Sequence, residues 1–294
     1  MRPKPPVIAR IERALGSRTL GFTRVQRGYT PVERWIVSLP GDARAFAKVG
    51  VDEDTAAWLR QEADVYARVA AGRRSRFMPR LLAYDDDALE AILLLEDLSR
   101  AEWPPPWSEA GVASVRQALA EMHAHPSPLP PLSEQLPSWD AIYGWERVAS
   151  DPEPFLTLGL AGAHWLEAAL PELTRAEARV ELEGDALCHF DVRSDNLCLR
   201  EGGAVLVDWN RACTGPAALD LGFWLPSLAA EGGPAPETLL PDAPEIAAFV
   251  AGFFACRAGL PGIERAPKVR EVQRVQLRTA LPWAARALGL TPPG

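Results

Sequence analysis

The sequence predicts an α+β protein of two lobes: a small one over residues 1–98, an antiparallel sheet with one helix, and a larger, mainly helical one over residues 99–294. Three observations lead there. Strand-like alternation and turn residues dominate up to Leu98, helical periodicity dominates from residue 99 onward, and one strong hairpin signal interrupts the helical part near residues 186–208. With 294 residues, 48% of them hydrophobic, the chain has material for a separate core in each lobe.

The opening stretch MRPKPPVIARIERALG mixes Arg and Glu with apolar residues and lacks the continuous apolar core of a secretion signal. No later window is long and apolar enough to span a membrane, so a cytoplasmic location is expected. VQRGYTPVERWIVSL predicts two strands broken by a turn from Gly28 to Pro31, and Pro40-Gly41-Asp42 turns the chain into a third strand, ARAFAKVG. DEDTAAWLRQEADVYARVAAG predicts a helix with Thr55 as N-cap and Gly72 as stop. Trp58, Glu62 and Tyr66 share one stripe of it by four-residue spacing, which places Glu62 among aromatics on an inward face. RLLAY and ALEAILLLEDL predict strands either side of an Asp85-Asp86-Asp87 turn, giving five strands before the lobes join at EDLS. WPPPW and HPSPLPPL are loops between helices, since proline does not sit in helix interiors.

The net charge of −8 argues against nucleic acid or an anionic membrane as partner, both of which require a basic footprint; a cationic partner is permitted. Cys188, Cys198, Cys213 and Cys256 show no zinc-site spacing and are expected to be buried free thiols. Only Lys4, Lys48 and Lys268 are lysines among 31 cationic residues, and Asn196 and Asn210 are the only asparagines, so these positions carry unusual weight.

The segment LCHFDVRSDNLCLREGGAVLVDWN carries the chemistry. Leu197–Arg200 and Ala204–Val207 flank Glu201-Gly202-Gly203, a hairpin signal. With the turn centred on Gly202, Asn196 is expected to face Asp208, and an amide oxygen beside a carboxylate makes a partial shell for a hard cation such as Mg²⁺. Asp191 lies five residues upstream, in place to take a proton from a hydroxyl aligned with a transferring phosphate. The spacing of His189, Asp191 and Asn196 arises by chance on the order of one time in a hundred. Lys48 ends the apolar run AFAKV, where a buried ammonium needs a compensating charge, and Glu62 is its natural partner.

At CHFDVRSDN and LVDWNRACTGPAALDL the chain resembles the aminoglycoside phosphotransferase family, a branch of the protein-kinase-like superfamily that also includes choline kinases, and the likeness runs from GYTPVERW to the final QLRTALPWAARALGL helix. The resemblance implies a two-lobed protein-kinase-like fold and transfer of phosphate from ATP (or GTP), assisted by Mg²⁺, to a hydroxyl of a small molecule such as an aminoglycoside, sugar or amino alcohol. It implies Asp191 as catalytic base, Asn196 and Asp208 as metal ligands, and Asp220 as a brace behind the catalytic loop. It further implies that Lys48 and Glu62 place the nucleotide phosphates, that Gly28 belongs to the nucleotide loop, and that the Glu96 carbonyl and Leu98 amide meet the base. Asp208-Trp209-Asn210 lacks the Phe and Gly of protein kinases, and no activation segment is recognisable, so a small acceptor is favoured over a protein. A different class, a catalytically silent nucleotide-binding module, is disfavoured because it has no need of a base and both metal ligands.

His123 and His125 close the helix ALAEMHAH without metal-binding spacing, which favours a helix C-terminus over a ligand role, and His189 is expected to organise its loop. The acceptor pocket is expected from residues 126–185 and the helices after Asp220, where Asp140, Asp151, Glu153, Glu231, Asp242 and Glu245 stand out beside Trp139, Trp145 and Trp224. Carboxylates near aromatic faces favour a cationic acceptor.

Overall fold

A computed structural model describes residues 2–26, 28, 31–69, 75–88, 90–136 and 141–293. Helix α1 (Pro5–Leu15) precedes strands β1 (Gly21–Arg24), β2 (Glu33–Ser38) and β3 (Arg44–Val49). Helix α2 (Glu53–Val69) comes next, then β4 (Leu81–Asp86) and β5 (Ala91–Glu96). The five strands form one antiparallel sheet ordered β1-β2-β3-β5-β4.

Five strands are present as expected, although the first, Gly21–Arg24, lies just ahead of the segment VQRG in which it was expected, and a helix the sequence patterns did not suggest precedes it. β5 reads Ala-Ile-Leu-Leu-Leu because both its faces are covered: Ala91, Leu93 and Leu95 join the main core with α2, while Ile92 and Leu94 join Val7, Ile11, Trp35 and Val37 beneath α1. Arg10 of α1 locks the helix down through Asp85, Asp87 and Glu90. That is why β4 runs on through Asp85 and Asp86, where a turn was expected: Arg10 holds Asp85, and Asp86 accepts from Arg60 and Tyr84. The cap of α2 also differs. Asp52 accepts from the Thr55 amide at 2.9 Å and Thr55 Oγ1 accepts from the Asp52 amide at 3.0 Å, a reciprocal box in which Asp52 is the cap and Thr55 its partner. Gly72 lies outside the described residues.

The helical part comprises α3 (Glu109–His123), α4 (Leu132–Gln135), α5 (Gly144–Ser150), α6 (Glu153–Leu156) and α7 (Ala163–Glu177), then α8 (Ala217–Ala230), α9 (Pro236–Leu239), α10 (Pro244–Ala258) and α11 (Val269–Ala287). Between α7 and α8 lie four short strands, β6 (Ala186–Cys188), β7 (Leu197–Arg200), β8 (Gly203–Leu206) and β9 (Cys213–Gly215). β7 and β8 are the expected hairpin, and β6 pairs with β9 to clamp its base. Among the described residues no helix is long and apolar enough to cross a membrane.

The hairpin register differs by one residue from the expectation. Leu197 pairs with Leu206 and Arg200 with Gly203, so the turn is Glu201-Gly202 alone and Asn196 stands opposite Val207, whose amide it accepts at 2.8 Å. The glycines explain the shift: Gly203 (φ 124) already pairs in the ladder, and one turn residue at positive φ, Gly202 (φ 93), suffices to reverse the chain.

Candidate active site

The cleft between sheet and helices gathers the residues singled out from the sequence. β3 presents Lys48 and the inward stripe of α2 presents Glu62, whose two carboxylate oxygens accept from Lys48 Nζ at 2.8 and 2.7 Å. Lys48 Nζ also donates to Asp208 Oδ1 at 3.0 Å, across 160 residues of chain. Lys48 is buried and Glu62 fully so. Burial opposes the ammonium charge, but Asp208 and then Glu62 outweigh it and raise the Lys48 pKa. Burial likewise opposes the charge on Asp208, yet Lys48 and Arg34 hold its carboxyl down at about 2.

Asp208 lies just past β8 in the left-handed conformation (φ 68), which redirects its side chain out of the strand's alternation. Asp208 lies close enough to Asp191 for its charge to act on it, although Asn196 and Asp208 are not cross-strand partners. Asn196 donates its amide to Asp191 Oδ2 at 2.8 Å and to the Asp191 carbonyl at 2.9 Å, which leaves Asn196 Oδ1 as an acceptor. A carboxylate and an amide oxygen are donors whose chemistry fits Mg²⁺ better than a soft metal. Burial raises the Asp191 carboxyl pKa against the pull of Arg193, 3.3 Å away, while 32% of its side chain stays exposed.

Behind the loop, Asp220 of α8 accepts from the His189 amide at 3.0 Å and the Phe190 amide at 2.7 Å. Phe190 has φ 55, a conformation costly for an aromatic residue that these bonds hold in place. His189 donates Nε2–H to the Val207 carbonyl at 3.0 Å and accepts from the Asp191 amide at 3.3 Å, tying the loop to the end of β8 as a loop organiser would. His123 ends α3, and its Nε2 also meets Asp220 Oδ2 at 2.9 Å, a contact the helix terminus alone does not imply. His123, Cys188 and Asp220 bring one nitrogen, one sulfur and one oxygen within 4.8 Å of one another, but both Asp220 oxygens are already engaged by the brace. All four cysteines are free and buried.

The remaining expectations divide. Gly28 borders a concavity of about 310 Å³ beside Val32 and Arg34, while Tyr29 and Thr30 lie outside the described residues. Glu96 ends β5 and holds Arg200 at 2.8 Å; among the described residues the Leu98 amide donates to no backbone group. Trp145 and Trp224 are fully buried core residues, and Trp139 and Asp140 lie outside the described residues. Glu245 is paired with Arg179. Glu231 is different: it accepts from Ser194, three residues past Asp191, and from Trp107 Nε1 at 2.8 Å. It borders a groove of about 360 Å³ with Arg193, Asp195, Lys268 and Glu271. Asp151, Glu153 and Asp242 are not among the residues of that groove.

A five-stranded sheet over a helical lobe, a buried Lys-Glu pair, and an Asp-Asn loop ahead of an Asp-ended hairpin define a protein of the two-lobed kinase-like fold. The profile of the phosphotransferase enzyme family matches residues 21–253, and the chain belongs to that family. No curated protein matches the sequence. Among solved structures, a spectinomycin phosphotransferase with ADP and spectinomycin superposes with a TM-score of 0.55 at 15% identity, over 98% of this chain and 100% of its own. A choline/ethanolamine kinase family protein from Mesorhizobium loti gives 0.52 at 14% over 89% and 92%. An aminoglycoside-3'-phosphotransferase of type VIII gives 0.50 at 21% over 88% and 93%. At these identities the likeness establishes the fold.

Proposed function

We propose that the chain is an ATP-dependent, Mg²⁺-assisted phosphotransferase that phosphorylates a hydroxyl of a small molecule. The observation that carries this is the meeting of Lys48 on β3, Glu62 on α2 and Asp208 after β8, with the loop that holds Asp191 and Asn196 alongside, so that four separate stretches of chain converge. Asn196 and Asp208 would hold Mg²⁺, which when bound neutralises charge on the phosphates. Lys48, fixed by Glu62, orients the nucleotide's phosphates, and the Leu98 amide is offered to the base. Asp191 takes the acceptor's proton as the hydroxyl oxygen bonds to the γ-phosphorus and the bond to the ADP oxygen breaks. The pull of burial on Asp191 suits a base, and Asn196 keeps its carboxylate aimed.

The acceptor enters along the groove beside Glu231. Three carboxylates border that groove, Asp195, Glu231 and Glu271, against Arg193 and Lys268, and Arg193 is committed to Asp191 and Asp195. A cationic amino alcohol, amino sugar or aminoglycoside fits this balance. The family and the absence of an activation segment favour such a molecule over a protein. The test is Mg²⁺-dependent ADP formation across a panel of hydroxyl-bearing metabolites and aminoglycosides. Stimulation by a member of the panel supports the proposal; nucleotide binding with no turnover would support a silent module, and phosphate entering protein would support a protein kinase.

A further inference from the structure

The nucleotide loop of this chain has one glycine, Gly28, where phosphate-binding loops commonly use several to aim backbone amides at the ligand. Beneath that glycine lies Arg34, whose charge also acts on Asp208. Arg34 on β2 is the cross-strand partner of Lys48 on β3, so both cations project from the same face of the sheet into the cleft. Arg34 is only 9% exposed, and its guanidinium donates to the Val32 carbonyl at 2.8 Å. A Cβ added to Gly28 would sit 2.6 Å from Arg34 Cζ and 2.7 Å from Nη2, so the loop backbone lies directly on the guanidinium, and Gly28 (φ 100) is the residue that permits it.

The charges around it are shared with the phosphate site. Asp208 and Glu62 are the acids that act on Arg34, and Arg34 in turn opposes the charge of Lys48. Two cations thus face two carboxylates, a neutral set. A nucleotide arriving with its metal would engage Asp208 and leave the cations in excess, matched to an anionic ligand.

We propose that Arg34 is a second phosphate-binding cation, whose guanidinium supplies under the one-glycine loop the donors that further glycine amides would otherwise provide. A planar guanidinium suits paired phosphate oxygens better than an ammonium does. The proposal rests on the chain binding a nucleoside triphosphate.

The test is calorimetric affinity for adenosine, ADP and ATP with Mg²⁺, the guanosine series beside them, for wild type, Arg34→Met, Arg34→Lys and Gly28→Ala, each with its melting temperature. Arg34→Met should weaken di- and triphosphate binding by roughly tenfold or more and leave the nucleoside unchanged. Arg34→Lys should lose less. Gly28→Ala, which displaces the guanidinium, should reproduce the phosphate-selective loss and covers the case in which Arg34→Met does not fold. Equal losses for nucleoside and triphosphate, or unchanged triphosphate affinity, would overturn the assignment and make Arg34 a support of the loop. A wild type that binds nucleotide while Lys48→Met does not confines such a failure to Arg34; a wild type that binds no nucleotide overturns the proposed function as well.

Discussion

On one wall of the cleft, Arg34, Lys48 and Glu62 of the sheet side and Asp208 from the end of the hairpin neutralise one another through their side-chain charges, and three of the four are buried. On the helical side the loop carrying Asp191 is shaped mostly through its backbone: Asp220 accepts two loop amides, His189 ties the loop to Val207, and Asn196 meets both the carboxylate and the carbonyl of Asp191. The contrast separates two kinds of fragility. Removing one member of a compensated buried set strands a charge, which costs affinity and stability together. Changing a group held by a backbone-braced loop alters chemistry with little effect on what the opposite wall binds.

Asp191→Asn tests this most sharply. Turnover should fall by roughly 10²- to 10⁴-fold while Mg·ATP affinity by calorimetry stays near wild type; a matching loss of affinity would erase the division between the walls. In the buried set, Asp208→Ala and Lys48→Met should each weaken Mg·ATP binding by about tenfold or more and lower the melting temperature, because Lys48→Met strands the buried Glu62 and Asp208→Ala takes a carboxylate from both Lys48 and Arg34. Unchanged affinity in Asp208→Ala would remove it from the metal site. Glu62→Gln should show the same defect several-fold milder, since Lys48 keeps Asp208; steady-state kinetics against ATP give the measure.

Another buried acid lies away from the cleft. Glu177, at the end of α7, accepts from the Gly144 and Trp145 amides at 2.8 and 2.9 Å, yet burial pushes its carboxyl up to about 8. Its folded pKa is raised from 4.5, so the folded state holds the proton more tightly, and the resulting stability is present at low pH and is lost as pH rises from 4.5 toward about 8. Melting temperature against pH should show that slope in wild type and lose it in Glu177→Gln. The smallest effect concerns the acceptor: apparent affinity for a cationic substrate should weaken only a few-fold between low and physiological salt, because the groove beside Glu231 is open to solvent. A best substrate that is neutral, with affinity indifferent to salt, would remove Glu231 and its neighbours from recognition.

The sequence by itself determined the five strands, the helix bearing Glu62, the hairpin and the meeting of Lys48 with Glu62, because alternation, turn residues and the cost of a lone buried ammonium are local or nearest-neighbour properties. Even α1 had a trace in the uninterrupted apolar run of β5, which demands cover on both faces. The rest depended on long-range packing. Whether the hairpin turned on two residues or three depended on backbone angles at Gly202 and Gly203 that composition leaves open, and one residue of slip changes every cross-strand partner. His123 meets Asp220 across 97 positions and Trp107 meets Glu231 across 124, contacts with no periodic signature in the chain. Trp145 and Trp224 could serve a pocket or a core equally well by residue type, and packing buried them. Arg34 looked like any polar residue of a strand until the sheet set it beside Lys48 and the loop laid Gly28 against it, since a side chain's charge environment is assembled by the fold and is not written in its neighbours along the chain.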